Sequence, residues 1–124
     1  MPVPILAQPP YLIASVQSAL TDADLIGLQN GLLEEAQRLR CRGVVVDVTA
    51  LDVMDSFSTR TLQSLAAMLQ LRGVQTVIAG IQPNVAMAMV QLGLSMPDVR
   101  TALDLDEGLA CLQAGLHESA GRGR

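Results

Sequence analysis

Five residues in one stretch of this chain have types and spacing that could do chemistry: Asp52 and Asp55, then Ser56, Ser58 and Thr59. Two carboxylates followed by three hydroxyls, at what reads as a helix start, suit the covalent addition of phosphate. A phosphoryl group would bring about −1.5 to −2 charges, which a helix N-terminus favours and nearby carboxylates repel. A surface changed in that way loses complementarity to a docked partner without unfolding. The same residues also suit a structural duty, with Asp55 or Ser56 as an N-cap accepting from the orphan N–H groups of the first turn. Residue types alone leave both readings open.

Elsewhere the chain offers little chemistry. His117 is the sole histidine and falls near the end of the last expected helix, where its protonated form suits the helix dipole. Nothing has the pattern of a nucleophile elbow, so no catalytic residue is expected. A metal would have to rely on Asp47, Asp52 and Asp55, which read as solvated loop acids; neither a metal nor a cofactor is expected. The glycines never fall into a GxGxxG pattern, and Cys41 and Cys111 form no CxxC or metal-type spacing. They read as reduced thiols, suited to the cytosol. All eight basic residues are Arg. Without lysine there is no P-loop lysine, no Schiff-base lysine and no lysine beside a phosphoryl-accepting aspartate.

The elements that must position the central stretch follow from periodicity. Val3–Leu6, with flanking prolines, reads as an edge strand, and Tyr11–Val16 as a second strand. Thr21 with Asp24 three residues on is a capping-box start for a helix whose apolar positions are Leu25, Leu28, Leu32, Leu33, Ala36 and Leu39, ending at Gly43. Val44–Val48 is a nearly continuous apolar run, as a strand covered on both faces should be. Phe57, Leu62, Leu65, Ala66 and Leu69 mark the buried stripe of the next helix, closed by Gly73. Val74–Ala79 is a strand, and Pro83 opens a helix with Val85, Ala86, Met89 and Val90 inward and a stop at Gly93. Leu94–Thr101 is irregular or a short strand. Asp104 with Glu107 opens a last helix, carrying Leu105, Leu109, Leu112 and Leu116. Residues 119–124 read as a disordered tail.

This β-β-α-β-α-β-α-(β)-α order predicts an α/β fold: one domain over residues 3–118, a mixed sheet of about four to five strands packed with about four helices. With 124 residues, half of them hydrophobic, there is material for one core and no second domain. Net charge is −4 and aromatics are 2% of the chain, which speaks against nucleic-acid binding by either basic patch or base stacking. No apolar run reaches the ~20 residues of a membrane helix, and the N-terminus lacks a signal-peptide pattern. The expected location is the cytoplasm.

Three stretches also carry a family resemblance: Gly43–Val48 together with Asp52–Phe57, Gly80–Pro83, and Thr101–Leu109. Through them the chain resembles STAS domains of the anti-sigma-factor-antagonist family, and is most similar to the RsbS-type core proteins of bacterial stressosomes. The likeness runs from Pro4 to about Leu116. It implies a non-enzymatic partner switch that sequesters an RsbT-type serine kinase, in a large hetero-oligomer with RsbR-type paralogues bearing sensor domains and with a homodimer as a unit. It implies Ser56 as the phospho-acceptor, with Ser58 and Thr59 as secondary candidates, Asp52 and Asp55 facing the kinase, and an RsbX-type phosphatase as the reset. Serine after Asp55 and the lack of a sensor domain favour the RsbS role over the RsbR role.

Three other readings compete. One is a stand-alone antagonist that binds an anti-sigma-factor kinase one to one. A second is a phosphoryl-accepting aspartate domain or small hydrolase built on Asp47 or Asp52, which the missing lysine disfavours. The third is a small-molecule-binding STAS module, for which no residue pattern marks a pocket.

Overall fold

Val44, Val45 and Val46 have no exposed surface, because the strand they form, β3 (Gly43–Asp47), is the centre of a five-stranded sheet. The computed structural model describes residues 3–18, 20–96 and 99–122, with side chains as far as Gly115. The sheet order is β1 (Ile5–Gln8), β2 (Tyr11–Ser15), β3, β4 (Gln75–Ala79) and β5 (Arg100–Ala102). β1 pairs antiparallel with β2, while every other pairing is parallel. The parallel connections need crossovers, supplied by α1 (Asp22–Leu39), α2 (Ser56–Leu71) and α3 (Pro83–Gln91), with α4 (Leu105–Arg122) closing the chain. The expected mixed α/β architecture is the observed one.

Alternation along the strands divides the core in two. Leu12, Ala14, Val44, Val46 and Ile78 face the larger cluster, filled by Leu28 and Leu32 of α1, Leu62, Leu65 and Leu69 of α2, and Val85 and Met89 of α3. Tyr11, Val45, Val77 and Ala79 face the other way, against Leu112 of α4. This second layer is tight. A Cβ on Gly43 would come 2.7 Å from a Leu112 methyl, and one on Gly108 would come 3.2 Å from Val45.

That contact corrects the reading of Gly43 as a helix stop. α1 ends instead at Leu39 with Arg40 as its C-cap, in the left-handed region at φ 51°, and the Cys41 N–H returns to the Ala36 carbonyl at 3.0 Å. Gly43 belongs to β3, where its missing side chain admits Leu112. The capping box forms as expected, with Asp24 N–H to Thr21 Oγ1 and Thr21 N–H to Asp24 Oδ2, both at 3.1 Å. β1 begins at Ile5 rather than Val3 and runs on to Gln8. Gly73 and Gly93 take positive φ after α2 and α3, as their places at helix ends required.

Three inward assignments fail. Phe57 is 43% exposed and its place in the α2 stripe is taken by Thr59, which is fully buried. Position 59 lies three residues before Leu62, in helical phase, while 57 lies five before it and out of phase. On α3, Val85 and Met89 point inward, whereas Ala86 and Val90 are exposed. α3 is short and lies at the sheet margin, so only its i, i+4 pair meets the core. α4 extends to Arg122, so the backbone of 119–122, expected as tail, continues the helix. Residues 123–124 lie outside the described residues, as do the side chains of Leu116 and His117.

Candidate functional site

β3 and β4 end side by side, with Asp47 paired to Ala79, and the loops that leave these carboxyl ends lie together. In open parallel sheets this is the edge at which binding surfaces form. The first loop, 48–55, is pinned at both ends. Val48 N–H donates to the Ala79 carbonyl at 2.9 Å and Leu51 N–H to the Val48 carbonyl at 2.9 Å, while Leu51 and Met54 are buried. Between and after these anchors, Asp52, Val53, Asp55, Ser56 and Phe57 are exposed.

Asp55 is the N-cap of α2. Its backbone is extended at φ −83° and ψ 179°, and its Oδ1 accepts from Ser58 N–H at 2.7 Å. That bond stabilises the ionised carboxyl and holds its pKa below the usual value. Ser56 is therefore the first helical residue. Its hydroxyl is exposed and has no hydrogen-bond partner among the described residues. The first turn of α2 has no acidic side chain of its own, so the end of the helix dipole is balanced only by the cap.

The five residues singled out by type are thus brought to one helix start, but they are not equivalent. Ser56 is exposed, Ser58 is half-buried with its N–H taken by Asp55, and Thr59 is fully buried with an Oγ1 that has no partner among the described residues. A folded chain does not offer Thr59 to another protein. Asp52 stands in the loop, 3.4 Å from Gln82 Nε2. Asp47 is committed elsewhere: its Oδ1 accepts from Thr49 N–H at 3.0 Å and from Thr49 Oγ1 at 2.6 Å.

Residue types did not reveal what holds the loop. Gln82, the N-cap of α3, makes no side-chain cap bond; its Nε2 reaches across to the Thr49 carbonyl at 2.8 Å. The turn before it depends on Gly80, at φ +82°, whose N–H donates to the Ala102 carbonyl at 3.0 Å. A Cβ there would fall 2.0 Å from Thr49 Oγ1. The Gly80–Pro83 turn and the 48–55 loop are built against one another. A glutamine before a helix-opening proline was visible as a turn; its partner, more than thirty residues away, was not.

Among the described residues no group of three or more His, Cys, Asp or Glu side chains is placed to hold a metal, and no helix is long and apolar enough to cross a membrane. Cys41 and Cys111 are both free thiols, and burial raises the pKa of Cys41.

Residues 3–108 match the STAS domain family. An RsbS variant from Moorella thermoacetica superposes with a TM-score of 0.79 at 32% identity, over 93% of this chain and 97% of that one. A chain of the stressosome, described as a signal integration and transduction hub, superposes with a TM-score of 0.77 at 34% identity, over 91% and 98%. The RsbT co-antagonist protein RsbRD of Bacillus subtilis is 28% identical over 79 residues, covering 64% of this chain and only 28% of its own length.

Proposed function

Because this chain belongs to the STAS-domain family and is RsbS-like along nearly its whole length, we propose that it is a core subunit of a stressosome-type assembly that holds an RsbT-type serine kinase until Ser56 is phosphorylated. The observation that carries this reading is the Ser56 hydroxyl: exposed, unbonded and at the first position of α2, between the exposed side chains of Val53 and Phe57. Apolar groups flanking a free hydroxyl provide a surface for an enzyme to grip and an acceptor for it to modify.

The role is non-enzymatic. Ser56 Oγ attacks the γ-phosphorus of ATP held by the kinase, ADP leaves, and the hydroxyl proton passes to the kinase's base. The new phosphate adds about two negative charges beside Asp52 and Asp55. A kinase surface complementary to an apolar, singly capped helix start then meets concentrated like charge, and release follows. Asp52 and Asp55 shape the kinase-facing surface before modification and supply the repulsion after it. RsbR-type paralogues with sensor domains complete the hetero-oligomer, dimers of this chain are its unit, and an RsbX-type phosphatase resets it in the cytoplasm. The working unit is residues 3–118.

The test is phosphosite mapping after incubation with an RsbT-type kinase and ATP, on the wild type and on Ser56→Ala. Phosphate confined to Ser56 and lost in the variant is the expected result. Phosphate on Ser58 would move the site and keep the switch. No phosphate, under conditions where the kinase modifies an RsbR-type control, would sink the mechanism.

A further inference from the structure

The failed assignment of Ala86 and Val90 leads to a second surface, on the α3 side of the sheet margin and independent of Ser56. There, α3, β5 and the start of α4 enclose a groove of about 570 Å3. Met89, which is buried, and the half-buried Ile81, Met96 and Ala102 line it. Its rims are Val90 and Leu103, each 79% exposed. Large aliphatic side chains this exposed, one on α3 and one in the turn between β5 and α4, both lining one hollow, form an apolar surface of the kind that marks a protein contact. Methionines on its wall let it adapt to what enters.

Charge identifies the occupant. Glu107 lines the groove, and Asp104 and Asp106 are exposed on the same helix start. Three carboxylates outweigh the roughly half positive charge of a helix N-terminus. No base lines the groove, and Arg100 of the neighbouring β5 donates instead to the Cys111 carbonyl at 3.5 Å. A second copy docking here by symmetry would set acid against acid in a chain already at −4, so the groove is not suited to self-association. An added strand is equally unsuited: β5 has three residues, and Glu107 Oε1 already occupies the Leu103 N–H at 3.1 Å. What fits is a helix with an apolar face and basic flanks, matching the nine residues of α3, about 13 Å in length.

We propose that the groove between α3 and β5 is a docking site for a basic amphipathic helix of a partner protein. The test is selection from a displayed library of helical peptides, about four turns long so that they hold helical shape on binding, with the full chain as bait and its Val90→Asp/Leu103→Asp variant as counter-selection. Both residues are largely exposed, so the variant keeps the core, and its thermal melt verifies this. Enriched peptides are expected to be net positive, with apolar residues at i, i+3 or i+4, and i+7. Their affinity should fall about tenfold or more in either single variant. Asp106→Arg should weaken them further at low salt than at high salt. Enrichment of acidic or extended peptides, binding indifferent to these variants, or no enrichment over the counter-selection would each overturn the proposal. So would a sedimenting dimer of the wild type that Val90→Asp dissolves, which would assign the groove to a second copy.

Discussion

The Gln82 side chain donates to the Thr49 carbonyl at 2.8 Å, so the turn after β4 holds the loop that presents Ser56. Thirty-three residues of chain separate donor and acceptor, and the bond closes the carboxyl edge of the sheet over the α2 start. Gln82→Ala is expected to lower stability by about 1 kcal/mol, the usual net worth of such a bond. Its more telling effect is local. Amide exchange of residues 49–55 should quicken relative to that of β3, and equal protection in wild type and variant would mean that the loop is held by Leu51 and Met54 alone.

Gly80 is the complementary case, because both its φ of +82° and its space are unavailable to alanine. The left-handed conformation costs a non-glycine residue about 1–2 kcal/mol, and the collision with Thr49 Oγ1 adds to this. Gly80→Ala should therefore destabilise by about 2 kcal/mol or more. Adding Thr49→Ala, which removes the colliding oxygen, should recover part of the loss in a urea melt. If the double variant is no better than the single, the backbone conformation alone sets the cost.

Asp55 should impose a pH dependence on the helix that carries Ser56. Loss of the cap in Asp55→Ala is expected to cost about 1 kcal/mol. Because the folded-state pKa is depressed by the Ser58 N–H, the carboxylate's contribution is present above the unfolded value of about 3.9 and is lost as pH falls through the lower folded value. The stability gap between wild type and variant should thus be constant near neutrality and close in acid. A gap that persists unchanged at pH 2 would show that the cap is not acting through its charge.

Thr59 invites a stabilising change. Its Oγ1 is buried without a partner among the described residues, a condition that costs about 1–3 kcal/mol of desolvation. Thr59→Val keeps the shape and removes the polar atom, so the melting temperature should rise by a few degrees. The same variant should leave phosphorylation at Ser56 intact. A fall in melting temperature would reveal a bond to the Thr59 hydroxyl, most simply through an internal water.

Periodicity in the chain was enough to place eight elements and the capping box at Thr21, with the fifth strand left as an alternative and the α2 cap narrowed to Asp55 or Ser56. These depend on contacts within a few residues, and such contacts are written in local order. The clustering of Asp52, Asp55 and Ser56 at one helix start was legible for the same reason. The inward assignments failed at the first turn of α2 and on α3. Phe57 is out of helical phase with the α2 stripe, which Thr59 opens instead, and Val90 lies on a helix that buries just Val85 and Met89.

Tertiary structure decided the rest. It separated exposed Ser56 from buried Thr59, two hydroxyls that composition treats alike, by turning one toward solvent and the other toward the sheet. It required glycine at 43 for Leu112 and at 80 for Thr49, partners that lie 69 and 31 residues away. It also left the groove between α3 and β5 open, with Val90 and Leu103 exposed at its rims. Pairings of this kind arise from how packed layers meet, and no window of neighbouring residues encodes them. The sequence by itself determined which side chains stand at the α2 start; the packing of α2 and of the 48–55 loop against β4 and its turn determined which of them faces the solvent.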